Sequence, residues 1–189
     1  MLRLMKCLHS MVNDTLALDA GNGVHNVEWL VDLAFGVHPD FKSHVGGTVT
    51  FERGKGLAIN ISAKQKLNTE SSTVTVAEPV EADCVLPLAL WAPSFLKEQG
   101  HEVRENTVKQ DNESTILLAK NGKTSSGKRT QAISIRHFHI TNQTKWGNVS
   151  IEHCPTDKMT SDHMSKGSQG VKFRKFRHCT MGFSGEEPH

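Results

Sequence analysis

The sequence predicts an α/β fold in which a mixed sheet of five strands carries helices on its faces. Three strand-like segments follow one another in the first third of the chain, and a helix-like segment comes after them. Strand-like and helix-like segments then alternate, and this order is typical of mixed sheets covered by helices. With 189 residues, the chain is long enough for one domain with a buried core.

The first three strands are predicted from apolar segments separated by turn residues. A long apolar run predicts a buried strand over Val27–Phe35, and shorter segments predict strands at Thr48–Phe51 and Leu57–Ala63. Gly54-Lys55-Gly56 favours a hairpin-type turn between the last two strands. The polar stretch Lys64–Thr73 that follows predicts a loop.

Ala77–Gln99 has the apolar spacing of a helix, but three prolines interrupt it. Pro79 is tolerable in a first helical turn, where the missing N–H would have no partner inside the helix. Pro87 and Pro93 lie deeper in the segment, so we expect them to kink or break the helix.

The rest of the chain predicts two further strands and three further helices. Apolar spacing within Lys128–Trp146 fits a helix better than a strand. The other predicted elements are a strand at Val103–Gln110, a helix at Glu113–Lys120, a strand at Asn148–Cys154 and a helix starting at Pro155-Thr156-Asp157.

Four carboxylates stand at the boundaries or in the interior of these elements: Asp32, Glu78, Asp111 and Asp162. Asp32 lies inside the apolar run WLVDLAF, where a charge is costly unless a cation or another partner binds it. Acids gathered from distant segments suit hard divalent cations, because Mg²⁺ accepts carboxylate oxygens as ligands. The other three acids have simpler explanations, as helix-start or turn residues.

Charge is unevenly distributed along the chain, although the net charge is only +2. Acids concentrate between Glu70 and Glu113, whereas Lys120–Ser150 contains basic residues and no acid. A second basic region covers His163–Gly185. This pattern predicts either an anionic metal pocket flanked by phosphate-binding surface or a pair of solvated basic faces.

The four cysteines show no CxxC spacing, which argues against a zinc ribbon. The pairs His153-Cys154 and His178-Cys179 leave open a third class of function, a zinc-dependent binding module. Adjacent residues on a strand point to opposite faces, so each pair would present only one ligand to either side.

No targeting or membrane signal is evident. The first twelve residues, MLRLMKCLHSMV, lack the apolar centre and cleavage site of a signal peptide. No segment has the length of a transmembrane helix. We therefore expect an intracellular protein without a membrane partner.

The ordered set of motifs resembles the C-terminal ribonuclease H domain of copia-type LTR retrotransposon Pol polyproteins. The segments that carry the resemblance are WLVDLAFGVHPDFKSHVGG, KQKLNTESSTV, KQDNESTILLAKNGK, SIRHFHIT, GNVSIEHCPTDKM and SDHMSKGSQGVKFRKFR. They occur in the family's order and cover about Trp29 to Arg177, and RLMKCLHSMVNDTLALDAG resembles the linker from the reverse transcriptase. The resemblance implies a ribonuclease H-like fold over 27–166, a linker remnant over 1–26 and a basic tail over 167–189.

The resemblance also implies a two-metal endoribonuclease that cleaves the RNA strand of RNA/DNA hybrids. Asp32, Glu78, Asp111 and Asp162 would be both the catalytic residues and the ligands of Mg²⁺, with Mn²⁺ as an alternative ion. The partners would be the hybrid and a reverse transcriptase domain, and the location the cytoplasm or a virus-like particle. Oligomeric state stays open.

Contacts to the hybrid are expected from basic side chains that reach phosphates on either side of the shallow minor groove. The candidates are Lys128, Arg129, Arg136, Lys172, Arg174 and Lys175. Phe173 and Phe176 alternate with the last of these, and we expect both rings to pack in the core.

Several departures from the family's pattern bear on activity. SSTVTVAEP carries two residues more than the family's usual spacing, so the second acidic position is Glu78 or, as a fallback, Glu81. Pro79 follows directly, Ser165 and Ser168 replace Thr and Leu, and the chain has no Tyr. These features keep an alternative open, a decayed or repurposed transposon fragment that binds nucleic acid without cleaving it.

Overall fold

The computed structural model describes residues 5–6, 8–9, 11–18, 23–34, 36–51, 59–65, 74–113, 116–117, 120 and 135–182. Side chains at 59–60, 65, 74–84 and 135–138 lie outside this description, although the backbone of these residues belongs to it. Every structural statement below refers to these residues.

A mixed sheet of five strands forms the centre of the molecule, in the order β3-β2-β1-β4-β5. Its strands are β1 (Asn26–Ala34), β2 (Ser43–Phe51), β3 (Ile59–Gln65), β4 (Glu105–Gln110) and β5 (Ser150–His153). The first three pair antiparallel, while β4 runs parallel to both β1 and β5. The predicted α/β class with a five-stranded mixed sheet is therefore confirmed.

The helices follow the predicted order. They are α1 (Val74–Glu98), α2 (Ile135–Lys145), a 3-10 turn (Thr156–Lys158), α3 (Asp162–Ser165) and α4 (Gly170–Met181). Glu113, Ile116, Leu117 and Lys120 are also helical, as expected from Glu113–Lys120. The predicted helix over Lys128–Trp146 is confirmed for α2, and its first part lies outside the described residues.

Of the kink or break expected in the first helix at Pro87 and Pro93, the break is wrong, because α1 continues through both. An internal proline costs about 3 kcal/mol by removing a backbone hydrogen bond and crowding the preceding turn. Val85, Leu86 and Ala89 are fully buried around these positions, and each large apolar side chain buried contributes about 1.5–3 kcal/mol. Packing of this helix against the sheet therefore outweighs the local preference of proline.

Strand β2 begins at Ser43 and not at Thr48, where the sequence signal starts. Gly46 and Gly47 lower the strand propensity of the earlier part. Both glycines are nevertheless paired with β1, Gly46 opposite Asp32 and Gly47 opposite Val31. Pairing with a buried neighbouring strand thus overrides the weak propensity of the two glycines.

The two faces of the sheet are covered differently. On one face, α1 closes the main apolar core, whose largest buried side chains include Val27, Trp29, Val31, Val45, Val49, Val85 and Leu86. On the other face, Leu30 packs with Cys154 and Met159 in a smaller cluster. Strand alternation places Asp32 on the same face as Leu30, beneath α3.

The segment before β1 contacts the last helix. The Ala17 N–H donates to the Met181 carbonyl at 2.8 Å, and Arg177 forms an ion pair with Asp14. The predicted boundaries at residues 26 and 166 stay predictions. None of the described helices combines the length and the apolar character that crossing a bilayer requires.

Candidate active site

Asp32 is a buried carboxylate in the middle of the sheet, with 5% of its surface exposed. The Ser165 hydroxyl donates a hydrogen bond to its Oδ2. The Lys166 ammonium lies 3.3 Å from its Oδ1 and 3.2 Å from its Oδ2. The partner that the apolar surroundings of Asp32 require is therefore a cation and a hydroxyl from one short segment.

Gly46 allows that segment to approach the sheet. A Cβ atom at this position would lie 2.5 Å from the Ser161 carbonyl oxygen and 2.7 Å from the Ser165 amide nitrogen. Any side chain would therefore collide with the backbone of α3. Because Gly46 is the pairing partner of Asp32, its missing side chain leaves room for α3 directly beside the acid.

Hydroxyl groups tie the α3 segment to β2 and β3. Thr48 Oγ1 lies 3.1 Å from Thr160 Oγ1, and the Ser62 hydroxyl donates to the Met164 carbonyl at 3.1 Å. With contacts on both sides of α3, the position of Asp162 relative to Asp32 is set by backbone packing and short side chains.

Asp162 is the first residue of α3, and only 3% of its surface is exposed. Lys166 Nζ donates to Asp162 Oδ1 at 2.7 Å, and Lys172 Nζ of α4 donates to Oδ2. Burial alone would raise the pKa of the Asp162 carboxyl, but the two lysines outweigh burial and hold that pKa below its ordinary value.

Lys166 therefore bridges two buried carboxylates. Burial disfavours its charged form, but hydrogen bonds and charge from Asp162 and Asp32 outweigh burial and raise the pKa of Lys166. The ammonium stays charged between two anions. The geometry is that of an anionic site with a cation already in place.

Helix α4 is anchored to α3 by His163. The His163 ring stacks on Phe176 with centroids 5.2 Å apart, and its Nε2 lies 3.0 Å from Thr180 Oγ1. Burial lowers the pKa of His163, so the neutral ring is favoured in this position. Phe176 is buried as predicted and Phe173 is half-buried, and this packing brings Lys172 to Asp162.

Asp111 follows β4 on the neighbouring strand. The parallel register pairs Leu30 with Lys109, so Asp32 and Asp111 each lie two residues beyond a paired position. The Thr156 hydroxyl donates to Asp111 Oδ2 at 3.2 Å. The structure thus joins Asp32 and Asp162 through Lys166, whereas Asp111 has a separate hydrogen-bond partner.

The described residues contain no group of three or more His, Cys, Asp or Glu side chains placed to hold one metal ion. Glu78 lies on α1 beyond its first turn, and its side chain lies outside the described part, as does that of Glu81. For Glu78, the fourth predicted ligand, the structure therefore gives the position of the backbone in α1 and not that of the carboxylate.

The predicted phosphate-contacting residues fall into three groups. Lys128 and Arg129 lie outside the described residues, and Arg136 is described only in its α2 backbone. Lys172 binds Asp162, so its ammonium is engaged in the acidic site. Arg174 is exposed and Lys175 half-buried on α4.

Gly46, Ser165 and Lys166 are the site residues that sequence reasoning did not assign. Lys166 follows Asp162 by four residues, a spacing that brings an acid and a base together on one helical turn. That signal was available in SDHMSKG. Gly46 and Ser165 carry no comparable signal, because their role depends on packing between distant segments.

No family model matches the chain, and no curated protein matches it. Solved structures do. LC11-RNase H1, isolated from compost by a metagenomic approach, superposes with a TM-score of 0.52 at 15% identity over 74% of this chain and 92% of that protein. The same protein in complex with an RNA/DNA hybrid gives 0.50 at 16% identity, over 74% and 93%.

The solution structure of the PFV RNase H domain is also similar, with a TM-score of 0.51 at 16% identity over 76% of this chain and 91% of that domain. At sequence identities this low, the structural similarity establishes the fold and nothing more. The mixed five-stranded sheet with its helices and these superpositions agree. The chain has a ribonuclease H-like fold.

Proposed function

We propose that the chain is a divalent-metal-dependent ribonuclease that hydrolyses the RNA strand of RNA/DNA hybrids. One observation carries the proposal: on a ribonuclease H-like fold, two buried carboxylates, Asp32 and Asp162, share a single cation. Each of these buried carboxyl groups loses hydration and needs a counter-charge, and acids gathered in this way are candidates for a functional site.

The donor set fits a hard divalent cation. Asp32 and Asp162 offer only carboxylate oxygens, the ligands that Mg²⁺ and Mn²⁺ prefer, and they already attract a positive charge. Asp111 and Glu78 would complete the ligand set, as the resemblance implies. When bound, such ions supply an activated water and stabilise the leaving oxygen at phosphorus.

The chain's own residues prepare this site. The Ser165 hydroxyl donates a hydrogen bond to one oxygen of Asp32 and so helps to orient the carboxylate. Lys166 and Lys172 keep Asp162 ionised, and an ionised carboxylate is the form that binds a metal. Packing of α3 against Gly46 excludes solvent from one side of the pair.

The substrate assignment rests on the resemblance, on the fold and on charge. One similar structure, LC11-RNase H1, is a complex with an RNA/DNA hybrid. For this chain, phosphate contacts would come from Lys128, Arg129, Arg136, Arg174 and Lys175, with Lys172 shared between Asp162 and the substrate.

The biological setting follows from the copia-type resemblance. The chain would be the C-terminal part of a Pol polyprotein, with 1–26 as the remnant of the linker, 27–166 as the nuclease and 167–189 as the basic tail. A reverse transcriptase domain would be its partner, in the cytoplasm or in a virus-like particle, where template RNA must be removed.

Cleavage of a labelled RNA/DNA hybrid in Mg²⁺ tests the proposal. The wild type should cut the RNA strand and leave double-stranded DNA intact, while Asp111→Asn should lose cleavage. Glu105→Gln, at the exposed start of the same strand β4, is the matched control and should cleave like the wild type. Equal cleavage by the Asp111 variant would contradict the proposal.

A second candidate is a fragment that binds hybrids without cleaving them. The observation in its favour is that Lys166 holds the cation position and that the described residues contain no three-acid group. A folded wild type that binds hybrid in a salt-dependent manner but never cuts it would favour this candidate.

A further inference from the structure

The Lys166 ammonium contacts the carboxylate oxygens that a metal ion would need. It lies 2.7 Å from Asp162 Oδ1, and 3.3 Å and 3.2 Å from the two oxygens of Asp32. Three oxygens of two buried acids therefore converge on one positive charge. A divalent ion bound to the same pair would be within a few ångströms of that charge and would be repelled by it.

The lysine is the part of this arrangement that can move. Counting side-chain atoms alone, Lys166 is 48% exposed, whereas Asp32 is 7% and Asp162 5% exposed. Lys166 caps α3 with an extended backbone, and Gly167 follows it. A long, flexible side chain in this position can turn its ammonium into solvent while the Lys166 N–H keeps its 3.0 Å hydrogen bond to the Asp162 carbonyl.

We propose that Lys166 is the internal counter-ion of the acidic pair, which occupies the cation position and leaves it when a divalent ion binds. Lys166 thereby sets the ion affinity of the site. This inference rests on the proposed metal-dependent function and adds a residue that controls it. Without an ion, Lys166 keeps two buried anions paired; with an ion, that pairing is lost.

The second lysine does not replace Lys166. Lys172 comes from α4 and binds Asp162 Oδ2, the oxygen that Lys166 does not contact. Its ammonium also lies 5.5 Å from the centre of the Phe176 ring. Lys172 therefore neutralises Asp162 alone, whereas Lys166 joins Asp162 to Asp32, so of these two lysines it is Lys166 that competes for an ion that both acids would bind.

The test compares binding of Mn²⁺ alone, followed by the paramagnetic signal of the free ion, in the wild type and in Lys166→Met. Lys97→Met is the matched control, since it removes one exposed charge in the last turn of α1. Asp32→Asn defines which binding belongs to the acidic pair. We expect Lys166→Met to bind about tenfold or more tightly, the scale on which groups beside metal ligands change affinity, and Lys97→Met to be unchanged.

A measurement on the wild type covers the case in which Lys166→Met does not fold. Lysine side-chain nuclear magnetic resonance signals report the surroundings of each ammonium. Titration with Mg²⁺ should shift the Lys166 signal toward that of a free lysine and leave the Lys97 signal in place. A Lys166 signal that stays constant while Mg²⁺ saturates the protein would overturn the proposal.

The outcomes separate this inference from the proposed function. If the wild type binds Mn²⁺ and cleaves hybrid but Lys166→Met binds no more tightly than Lys97→Met, the inference is overturned and the nuclease stands. If neither the wild type nor any variant binds the ion, both are overturned. If only Lys166→Met binds, Lys166 blocks the wild-type site without being displaced, which overturns both the displacement and the metal-dependent function of the wild type.

Discussion

The two faces of strand β1 differ in what they contact. Val27, Trp29 and Val31 point into the apolar core under α1 and are fully buried. The alternate residues face the other way, where Glu28 pairs with Lys109 at 2.9 Å and Asp32 binds Ser165 and Lys166. Alternate residues of β1 therefore face an apolar core on one side of the sheet and charged side chains on the other.

The two faces of β1 therefore have different roles, since the apolar face stabilises the fold and the acidic face carries the candidate active site. On the apolar face, burial is worth about 25 cal/mol for each Å² removed from water and needs no partner of defined geometry. On the acidic face, every buried charge requires a specific counter-charge, which for Asp32 is the half-exposed side chain of Lys166. The apolar face packs the strand into the core, and the acidic face carries the cation that we propose to be exchangeable.

The largest predicted difference in stability is between a substitution on the apolar face of β1 and one on its acidic face. Trp29→Ala should lower the free energy of unfolding by about 3–5 kcal/mol, the usual loss for a buried aromatic residue. Trp29 is fully buried and also donates from Nε1 to Asn106 Oδ1 at 3.0 Å. Asp32→Asn should cost only about 1–2 kcal/mol, because Asn keeps the shape and can still bond Ser165. Urea unfolding measures both, and an Asp32→Asn loss equal to that of Trp29→Ala would contradict this division.

The adjacent glycines of β2 give a second, smaller contrast. Gly46→Ala should cost about 1–3 kcal/mol and abolish ion binding, because the new methyl group collides with the α3 backbone at 2.5 Å. For Gly47→Ala, the atoms nearest to the new Cβ belong to the side chains of Ile61, at 3.2 Å, and Val85, at 3.4 Å, which can shift slightly. We therefore expect a loss below about 1 kcal/mol there. Ion titration and thermal unfolding of both variants test the contrast; equal ion binding by both would refute it.

The acidic limb of the stability curve provides a third test. Lys166 and Lys172 hold the pKa of Asp162 below its ordinary 3.8, so Asp162 contributes stability above that pH. The contribution is lost as the pH falls below 3.8 through the folded-state pKa. Asp162→Asn should flatten this limb in urea unfolding at a series of pH values.

An exposed acid serves as the control for that experiment. Lys64 and Lys42 also lower the pKa of Asp40, but this carboxylate lies on the surface. High salt should therefore remove the effect of Asp40→Asn and leave most of the effect of Asp162→Asn. Equal screening at both positions would mean that the acidic site is open to solvent.

The smallest predicted effect concerns two serines. Ser165→Ala should cost about 1 kcal/mol, because it removes the buried hydroxyl that donates to Asp32. Ser94→Ala on α1 removes a hydroxyl that bonds the Leu90 carbonyl at 3.3 Å on an exposed surface, and should change stability by less than about 0.5 kcal/mol. Thermal unfolding compares them, and equal shifts would argue against a special role for Ser165.

The sequence predicted the sheet, the order of its elements and the need of Asp32 for a cationic partner. These features depend on local signals, namely apolar runs and a charge within one of them. The identity of the partner could not be predicted, because Lys166 is 134 residues away from Asp32. Contacts across such separations depend on how elements pack, which periodicity does not report.

Two local rules failed for the same reason. The prolines of α1 and the glycines of β2 disfavour the structure that each adopts, and tertiary contacts overrule both. Gly46 has a poor strand propensity because it lacks a side chain, and the same lack of a side chain allows the close approach of α3. Gly46 lies outside the strand predicted at Thr48–Phe51, so its part in the approach of α3 is not evident from local sequence.

We propose that the buried pair Asp32 and Asp162 is the metal-binding centre of a ribonuclease. The most direct measurement is anomalous diffraction from Mn²⁺-soaked crystals of a preparation that cleaves RNA/DNA hybrid. We predict a peak in contact with both carboxylates, with the Lys166 ammonium displaced from them. A cleaving preparation whose bound Mn²⁺ lies elsewhere, with Lys166 still between the two acids, would contradict the account.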